Sequence, residues 1–286
     1  MDNAAGCASV IPVTVWINGT LVPDDEARIS VFDHGLVTGD GVFETIKVVR
    51  GVPFALTRHL ARLGRSAVGL GLAEPDLDEI RAGAMAVVES SPPLDLARMR
   101  ITVTGGIAPL GSERGGSPLT AIVAVAEAKA PAPWVDVVTV PWPRNDRGAL
   151  SGLKTTSYGE NVRALAYANE NGGSEAIFPN TAGNLCEGTG TNVFVVNEGR
   201  LLTPPLSSGC LAGVTRALVI EWSDATEQDL PLSALAEADE AFLSGTTRDV
   251  QPIRWVDGRA LAAAPGPVTR KAAEVFAMRA AETSDP

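Results

Sequence analysis

Lys154 lies in the stretch SGLKTTSYGENVRA, beside Gly152, Thr155, Thr156 and Ser157, and is one of only four lysines in a chain of 286 residues. An amine becomes a nucleophile only after losing its proton near neutral pH, which burial or a neighbouring cation can bring about. Small residues leave room for a bulky group against the backbone, whereas a solvated loop lysine needs no such room. Three further pieces suit the same chemistry. In LAGVTRALVIEW, Gly213 precedes a helical pattern, so the Val214 and Thr215 amides fall among the unpaired donors of a helix N-terminus, where phosphate binds. In LTRHLARL, Arg58 opposes the dipole at a helix start, a place for a cation that serves an anion, with Arg62 one turn on as a solvated neighbour. In LCEGTGTNVF, Glu187 stands ahead of small residues that open a strand, either as a turn residue or as a carboxylate orienting a heterocyclic nitrogen.

The elements that must position these residues follow from turns and periodicity. VTVWINGTLV reads as strand, Asn18-Gly19 turn, strand, and GVFETIKVVRGVPFAL turns likewise at Arg50-Gly51. From Thr57, the expected N-cap, the period lengthens, with Leu60, Leu63, Ala67 and Leu70 on one helical face. A second helix is expected over 76–90, then strands in MRITVTGG and LTAIVAVAE joined by a Gly-rich loop that carries Arg114. AKAPAPWVD has the alternating Ala/Pro composition of a semi-rigid linker. The expected organisation is a first domain over 1–128, a linker over 129–134 and a second domain over 135–286. The second domain should hold a strand near 135–140, the lysine loop and a helix over 158–171. Strands in SEAIF and TNVFVVNEGRLLTP follow, then a helix from Val214, strand, loop and hairpin in DEAFLSGTTRDVQPIRWVDGRAL, and a last helix near 268–281. Mixed elements without regular βα alternation predict an α+β fold. EGTGTNVF lacks the third glycine of a dinucleotide turn and runs into a strand, so it is rejected as a nucleotide site.

Composition narrows the partners. With 45% hydrophobic and 20% charged residues and a mean hydropathy of +0.13, the chain reads as globular. A net charge of −11 without a Lys/Arg cluster argues against nucleic acid as a partner. Cys7, Cys186 and Cys210 are odd in number and form no CxxC, so neither a disulfide framework nor a zinc ribbon is expected. His34 and His59, the only histidines, lack metal-ligand spacing, and no metal is expected. The first residues lack the bases and apolar core of a signal peptide, and apolar runs such as LTAIVAVA are strand-length. The expectation is a cytoplasmic protein with no membrane contact.

GLKTTSYGENVRA, EAIF followed by CEGTGTNVFVV, LLTPPLSSGCLAGVTR and DEAFLSGTTRDVQPI stand in the order and register of the fold-type IV pyridoxal 5′-phosphate (PLP) enzymes. VFDHGLVTGDGVFET and RHLARL extend the match through the first half. The sequence resembles that family, which comprises branched-chain aminotransferases, D-amino-acid aminotransferases and 4-amino-4-deoxychorismate lyases. The resemblance implies a small α/β domain and a larger pseudo-barrel domain, PLP between them, a small-molecule amino substrate, and a homodimer whose partner chain helps to close the pocket. It further implies that Lys154 bonds the cofactor covalently and then carries the proton, and that Glu187 pairs with the pyridine nitrogen. Arg58, the Val214 and Thr215 amides and Thr246 would hold the phosphate. Leu211 would pack on the ring, Tyr158 would lie near the cofactor oxygen, and Thr247 would serve the substrate side. His34 is read as structural, and Cys186 and Cys210 as packing thiols.

Within the family, Thr45 falls where the lyases carry a threonine that relays a proton and branched-chain aminotransferases carry glycine. Arg114 resembles a lyase arginine that binds a substrate carboxylate bidentately, and Arg248 is a further carboxylate candidate. Gly105 stands where D-amino-acid aminotransferases have a carboxylate-holding arginine. The expectation is therefore an aminodeoxychorismate lyase giving p-aminobenzoate and pyruvate for folate synthesis. The alternative is a branched-chain, D-amino-acid or amine aminotransferase, and the third reading is a PLP-binding protein without turnover.

Overall fold

A computed structural model describes residues 14–286; Cys7 lies outside them. The first half of the chain contains β1 (Thr14–Ile17), β2 (Thr20–Pro23), α1 (His34–Val37), β3 (Gly41–Val49), β4 (Val52–Pro53), α2 (Leu56–Gly69), α3 (Leu77–Ser90), β5 (Leu96–Thr104) and β6 (Thr120–Glu127). Its six strands form one sheet in the order β2-β1-β6-β5-β3-β4, antiparallel throughout. The hairpin expected at Asn18-Gly19 is present, with φ of 44° and 88°, the left-handed pair that a two-residue I′ turn requires.

Alternation divides this sheet into two faces. Ala97, Met99, Ile101 and Val103 on β5, with Val42, Ile46 and Val48 on β3, pack beneath α2 and α3 in one apolar core. Leu63 in α2 has no exposed surface, and truncating such a residue to alanine costs roughly 2–5 kcal/mol. That face is fixed by packing, which leaves Phe43, Thr45, Arg98 and Arg100 on the other face for a different use.

Helix α2 corrects one local expectation. Leu56 is its first residue and Ala55, at φ 55°, stands at the cap without a side-chain bond. Thr57 lies inside the helix, where its N–H and hydroxyl donate to the Asp285 carboxylate at 2.9 and 2.5 Å. The cap is thus supplied from the far end of the chain, where no local pattern reveals it. Helix α3 follows the local rule: Asp76 accepts from the Asp78 and Glu79 amides.

The second half contains β7 (Val135–Thr139), α4 (Gly159–Glu170), β8 (Glu175–Pro179), β9 (Leu185–Gly188), β10 (Asn192–Asn197), β11 (Arg200–Thr203), α5 (Val214–Trp222), β12 (Thr226–Glu227), β13 (Glu240–Gly245), β14 (Asp249–Val256), β15 (Arg259–Ala260) and α6 (Pro267–Glu282). Strands β7-β8-β9-β10-β13-β14 form a ring, closed where β14 pairs in parallel with β7, and β9 joins β10 through Glu187 opposite Asn192. Val193 and Val195 face the barrel interior with Ile177 and Leu243, while Phe194 and Val196 face outward under α5 and α6. Helix α4 covers Ala176 and Phe178. The chain passes from one sheet to the other between Glu127 and Val135, across the Ala/Pro run. The architecture is α+β, a small sheet with helices on one face beside a barrel. Among the described residues, no helix is long and apolar enough to cross a membrane.

Candidate active site

A cavity of about 520 Å³ is lined from both halves, by β3, α2 and β5 of the small sheet and by the lysine loop, β9 and the start of α5. Lys154 reaches it from a loop zipped onto the start of β3. The Phe43 amide donates to the Lys154 carbonyl at 3.0 Å, the Thr156 amide donates to the Gly41 carbonyl at 2.8 Å, and the Lys154 amide donates to Ser66 Oγ at 3.3 Å. Nζ lies 4.3 Å from the Phe43 ring centroid and 6.0 Å from that of Tyr158, two rings in edge-to-face contact. Burial lowers its pKa to about 8, and the Arg62 guanidinium adds to the effect against the pull of Glu44 and Glu187. About a tenth of this amine is therefore free at pH 7, far more than for a solvated lysine.

Glu187 lies on β9 beside the bridge to Asn192. Its Oε2 accepts the Leu211 amide at 2.9 Å, and its Oε1 is 3.2 Å from Arg144 Nε. Burial pushes its pKa up, opposed chiefly by Arg144. Such a carboxylate can share a proton with a heterocyclic nitrogen. Leu211 lines the cavity, and the Tyr158 hydroxyl donates to the Thr189 carbonyl at 2.6 Å.

The turn before α5 forms a cup. The Val214 and Thr215 amides have no protein acceptor among the described residues, and Gly213 supplies no side-chain cap. A Cβ on Gly213 would run into Asn192 Oδ1, whose amide nitrogen holds the Leu211 carbonyl at 2.9 Å. Arg58 is absent from this cup. It points outward, pairs with Glu221 at 2.6 Å and donates to the Pro286 carbonyl at 2.8 Å. Arg62, one helical turn later, lines the cavity and donates from Nη1 to the Ala212 carbonyl at 2.9 Å. The register of α2 explains the correction: Arg62 follows Leu60 and precedes Leu63 on the buried side, whereas Arg58 falls outside the buried set of that helix.

Thr45, Thr246, Thr247 and Arg248 all line the cavity. Arg248 is already engaged, by Gln251 at 2.5 Å and Glu175 at 3.1 Å. Arg114 does not line the cavity. Its guanidinium is held by Asp40 at 2.8 and 2.6 Å and by the Gly71 and Leu70 carbonyls, which leaves it no free bidentate edge for a substrate carboxylate in this chain. Asp40 also meets His34 Nδ1 at 2.9 Å while His34 Nε2 meets the Gly111 carbonyl, so His34 ties α1 to the loop after β5. Cys186 and Cys210 are buried, and burial pushes both thiols up, Cys210 to about 11.

Several lining residues were not singled out from sequence: Arg98, Arg100, Arg144 and Asn192. For Arg98 and Arg100 the strand alternation was the available signal, since both fall opposite the apolar set of β5. Pyridoxal 5′-phosphate fits these residues. An amine with a lowered pKa and a buried carboxylate face one cavity with an uncapped helix N-terminus. Thr191 Oγ1 and Ser244 Oγ, on lining residues, are buried without a protein partner.

The family described as amino-transferase class IV matches residues 41–256. A Methanocaldococcus jannaschii protein provisionally named a branched-chain-amino-acid aminotransferase is 35% identical over 92% of this chain and 94% of its own. The D-alanine aminotransferase of Bacillus licheniformis is 30% identical over 90% of this chain and 93% of its own. A Mycobacterium tuberculosis protein described as a hypothetical aminotransferase, solved in its PLP-bound form, superposes with a TM-score of 0.84 at 26% identity, covering 96% of this chain and 100% of that one. With a family match across both halves and relatives similar along nearly their whole length, the chain belongs to the class IV aminotransferase family.

Proposed function

We propose that the protein is a PLP-dependent aminotransferase that moves the amino group of a branched-chain amino acid to a 2-oxo acid. PLP, when bound, supplies the electron sink for the bond broken at the substrate α-carbon. Lys154 would hold the cofactor and move the α-proton at Nζ, its lowered pKa suiting both tasks. Glu187 would pair with the pyridine nitrogen, Tyr158 would lie beside the cofactor oxygen, and Leu211 would pack against the ring. Arg62, the Val214 and Thr215 amides and Thr246 would hold the phosphate.

The observation that carries the choice of reaction is the engagement of Arg114, the residue on which the lyase expectation relied for substrate binding. The 35% identical relative supports the same choice. The apolar edge-to-face pair of Phe43 and Tyr158 beside Nζ suits an aliphatic side chain. A D-amino-acid reading is weakened at Gly105, which offers no guanidinium to a substrate carboxylate. Val31, Phe32, Leu36, Ile107 and Leu110 form an exposed apolar set around α1 and the loop that pairs with it. A second copy of the chain is the occupant that this patch favours.

The deciding assay supplies PLP-loaded protein with leucine, isoleucine or valine and 2-oxoglutarate, alongside D-alanine. Multiple turnovers with a branched-chain donor are expected from a species that elutes as a dimer, and Lys154→Ala should lower turnover by more than about 10³-fold. Pyruvate release from aminodeoxychorismate without any acceptor, and no transamination, would overturn the proposal in favour of the lyase. Thr45, which lines the cavity opposite Arg100, would then be the residue to mutate.

A further inference from the structure

Glu44 occupies an improbable place for a carboxylate. It lies on the face of β3 that carries Val42, Ile46 and Val48 into the apolar core, and it has no exposed surface. Two groups from α2 meet it there. Arg62 donates from Nε to Oε1 and from Nη2 to Oε2, both at 2.7 Å, and His59 Nδ1 lies 2.7 Å from Oε2. His59 is also buried, and burial lowers its pKa, so the ring is neutral and its Nδ1–H donates to the carboxylate, the tautomer being assigned from that bond. Glu44, held near a pKa of about 2 by the Arg62 guanidinium and by His59 against the opposing effect of its burial, stays ionised at any working pH.

A buried ion pair of this kind contributes little net stability, because desolvating the two charges offsets their attraction. Its use must lie elsewhere, and the guanidinium geometry shows where. The planar fork carries five N–H donors. Glu44 takes the Nε/Nη2 edge and the Ala212 carbonyl takes one Nη1 hydrogen. Two hydrogens remain, one on each Nη nitrogen, and Arg62 lines the same cavity as Gly213, Val214 and Thr215. A free arginine would lose rotamer entropy on capturing an anion, whereas this one has lost it in folding.

We propose that Glu44, supported by His59, is the positioning residue of the phosphate end of the site, locking Arg62 so that its Nη1/Nη2 edge meets an anion held by the Val214 and Thr215 amides. This inference rests on the PLP reading given above. Glu44 touches no reacting atom and acts through Arg62 alone.

The experiment compares PLP with pyridoxal, which lacks the phosphate, as ligands of the full chain. Dissociation constants are read from visible absorbance and from the cofactor retained by the holoenzyme after rapid gel filtration. Glu44→Gln, which keeps the shape and removes the charge, should weaken PLP at least tenfold while changing pyridoxal less than twofold. His59→Asn, which keeps a donor near the Nδ1 position, should match the wild type, and His59→Leu should fall between. Equal weakening of both ligands in Glu44→Gln, or an unchanged ratio, overturns the proposal. If Glu44→Gln does not fold, the two His59 variants decide: identical PLP-to-pyridoxal ratios overturn it. A wild type that binds no PLP overturns the aminotransferase reading together with this inference. A wild type that prefers PLP, beside a Glu44→Gln that keeps the preference, overturns this inference alone.

Discussion

Around Lys154 and Glu187 each arginine at the cavity already meets a carboxylate, Arg62 meeting Glu44 and Arg144 meeting Glu187. On the β5 side, Arg98 and Arg100 meet none among the described residues. Arg100 instead lies over the Phe43 ring, 3.3 Å from its centroid, and its Nε reaches only Thr102 Oγ1 at 3.3 Å. The first set is buried and preorganised, as a site for a permanently held group should be. The second is exposed and unpaired, as a site for a group that enters and leaves on every turnover should be. On the proposed reading the contrast divides the cavity: the paired cations would hold the cofactor, and the unpaired Arg98 and Arg100 would be left for a substrate carboxylate.

Three measurements break or sharpen this division. The largest effect is expected from Arg62→Ala, which should weaken PLP binding by about 100-fold, since charge-assisted hydrogen bonds are worth roughly 1.5–3 kcal/mol each. Arg58→Ala should change it less than about twofold, consistent with an exposed pair with Glu221. Similar losses in both variants would return Arg58 to the phosphate and undo the assignment of the buried end. Next, Arg100→Leu and Arg98→Leu should raise the KM for a 2-oxo dicarboxylate by about tenfold with a smaller change in kcat, while PLP affinity stays put. Loss of PLP from either variant would mean that the two ends are not separate. The smallest effect is in pH. With a pKa of about 8, the Lys154 amine is free in about a tenth of molecules at pH 7 and about half at pH 8. Because the deprotonated amine is the nucleophile, covalent uptake of PLP by cofactor-stripped protein should accelerate about fivefold over that unit and level off above about pH 9. A rate that keeps climbing tenfold per unit to pH 10 would mark an ordinary, solvated lysine.

The same division explains what the sequence could disclose. Lys154, Glu187 and the Gly213-Val214-Thr215 turn sit in short local patterns, and each occupies the cavity as those patterns suggested. The hairpins at Asn18-Gly19 and Arg50-Gly51 and the helix over 77–90 were legible for the same reason, since turn chemistry and capping are local. Helix-dipole reasoning favours Arg58 over Arg62 because it favours the first turn, but the choice depends on which face of α2 meets the barrel. Arg114 had the right residue type on the right loop, yet its partner Asp40 comes from 74 residues away. Glu44 was hidden in plain alternation: a carboxylate in phase with Val42, Ile46 and Val48 signals a buried charge, but not its partners.

The ring of strands begins with β7 and ends with β14, and it closes only where these two meet. There Arg254 clasps Asp136 at 2.6 Å, 118 residues earlier in the chain. During synthesis β7 therefore waits with an unpaired parallel edge until β14 has left the ribosome, a state exposed to aggregation. The lysine loop, β9 and the cup before α5 all hang from that ring, so the cavity they line is complete only once the ring has closed. A ligand that binds the closed ring and not the open chain stabilises the ring by mass action, so PLP supply would raise the share of newly made chains that stay closed.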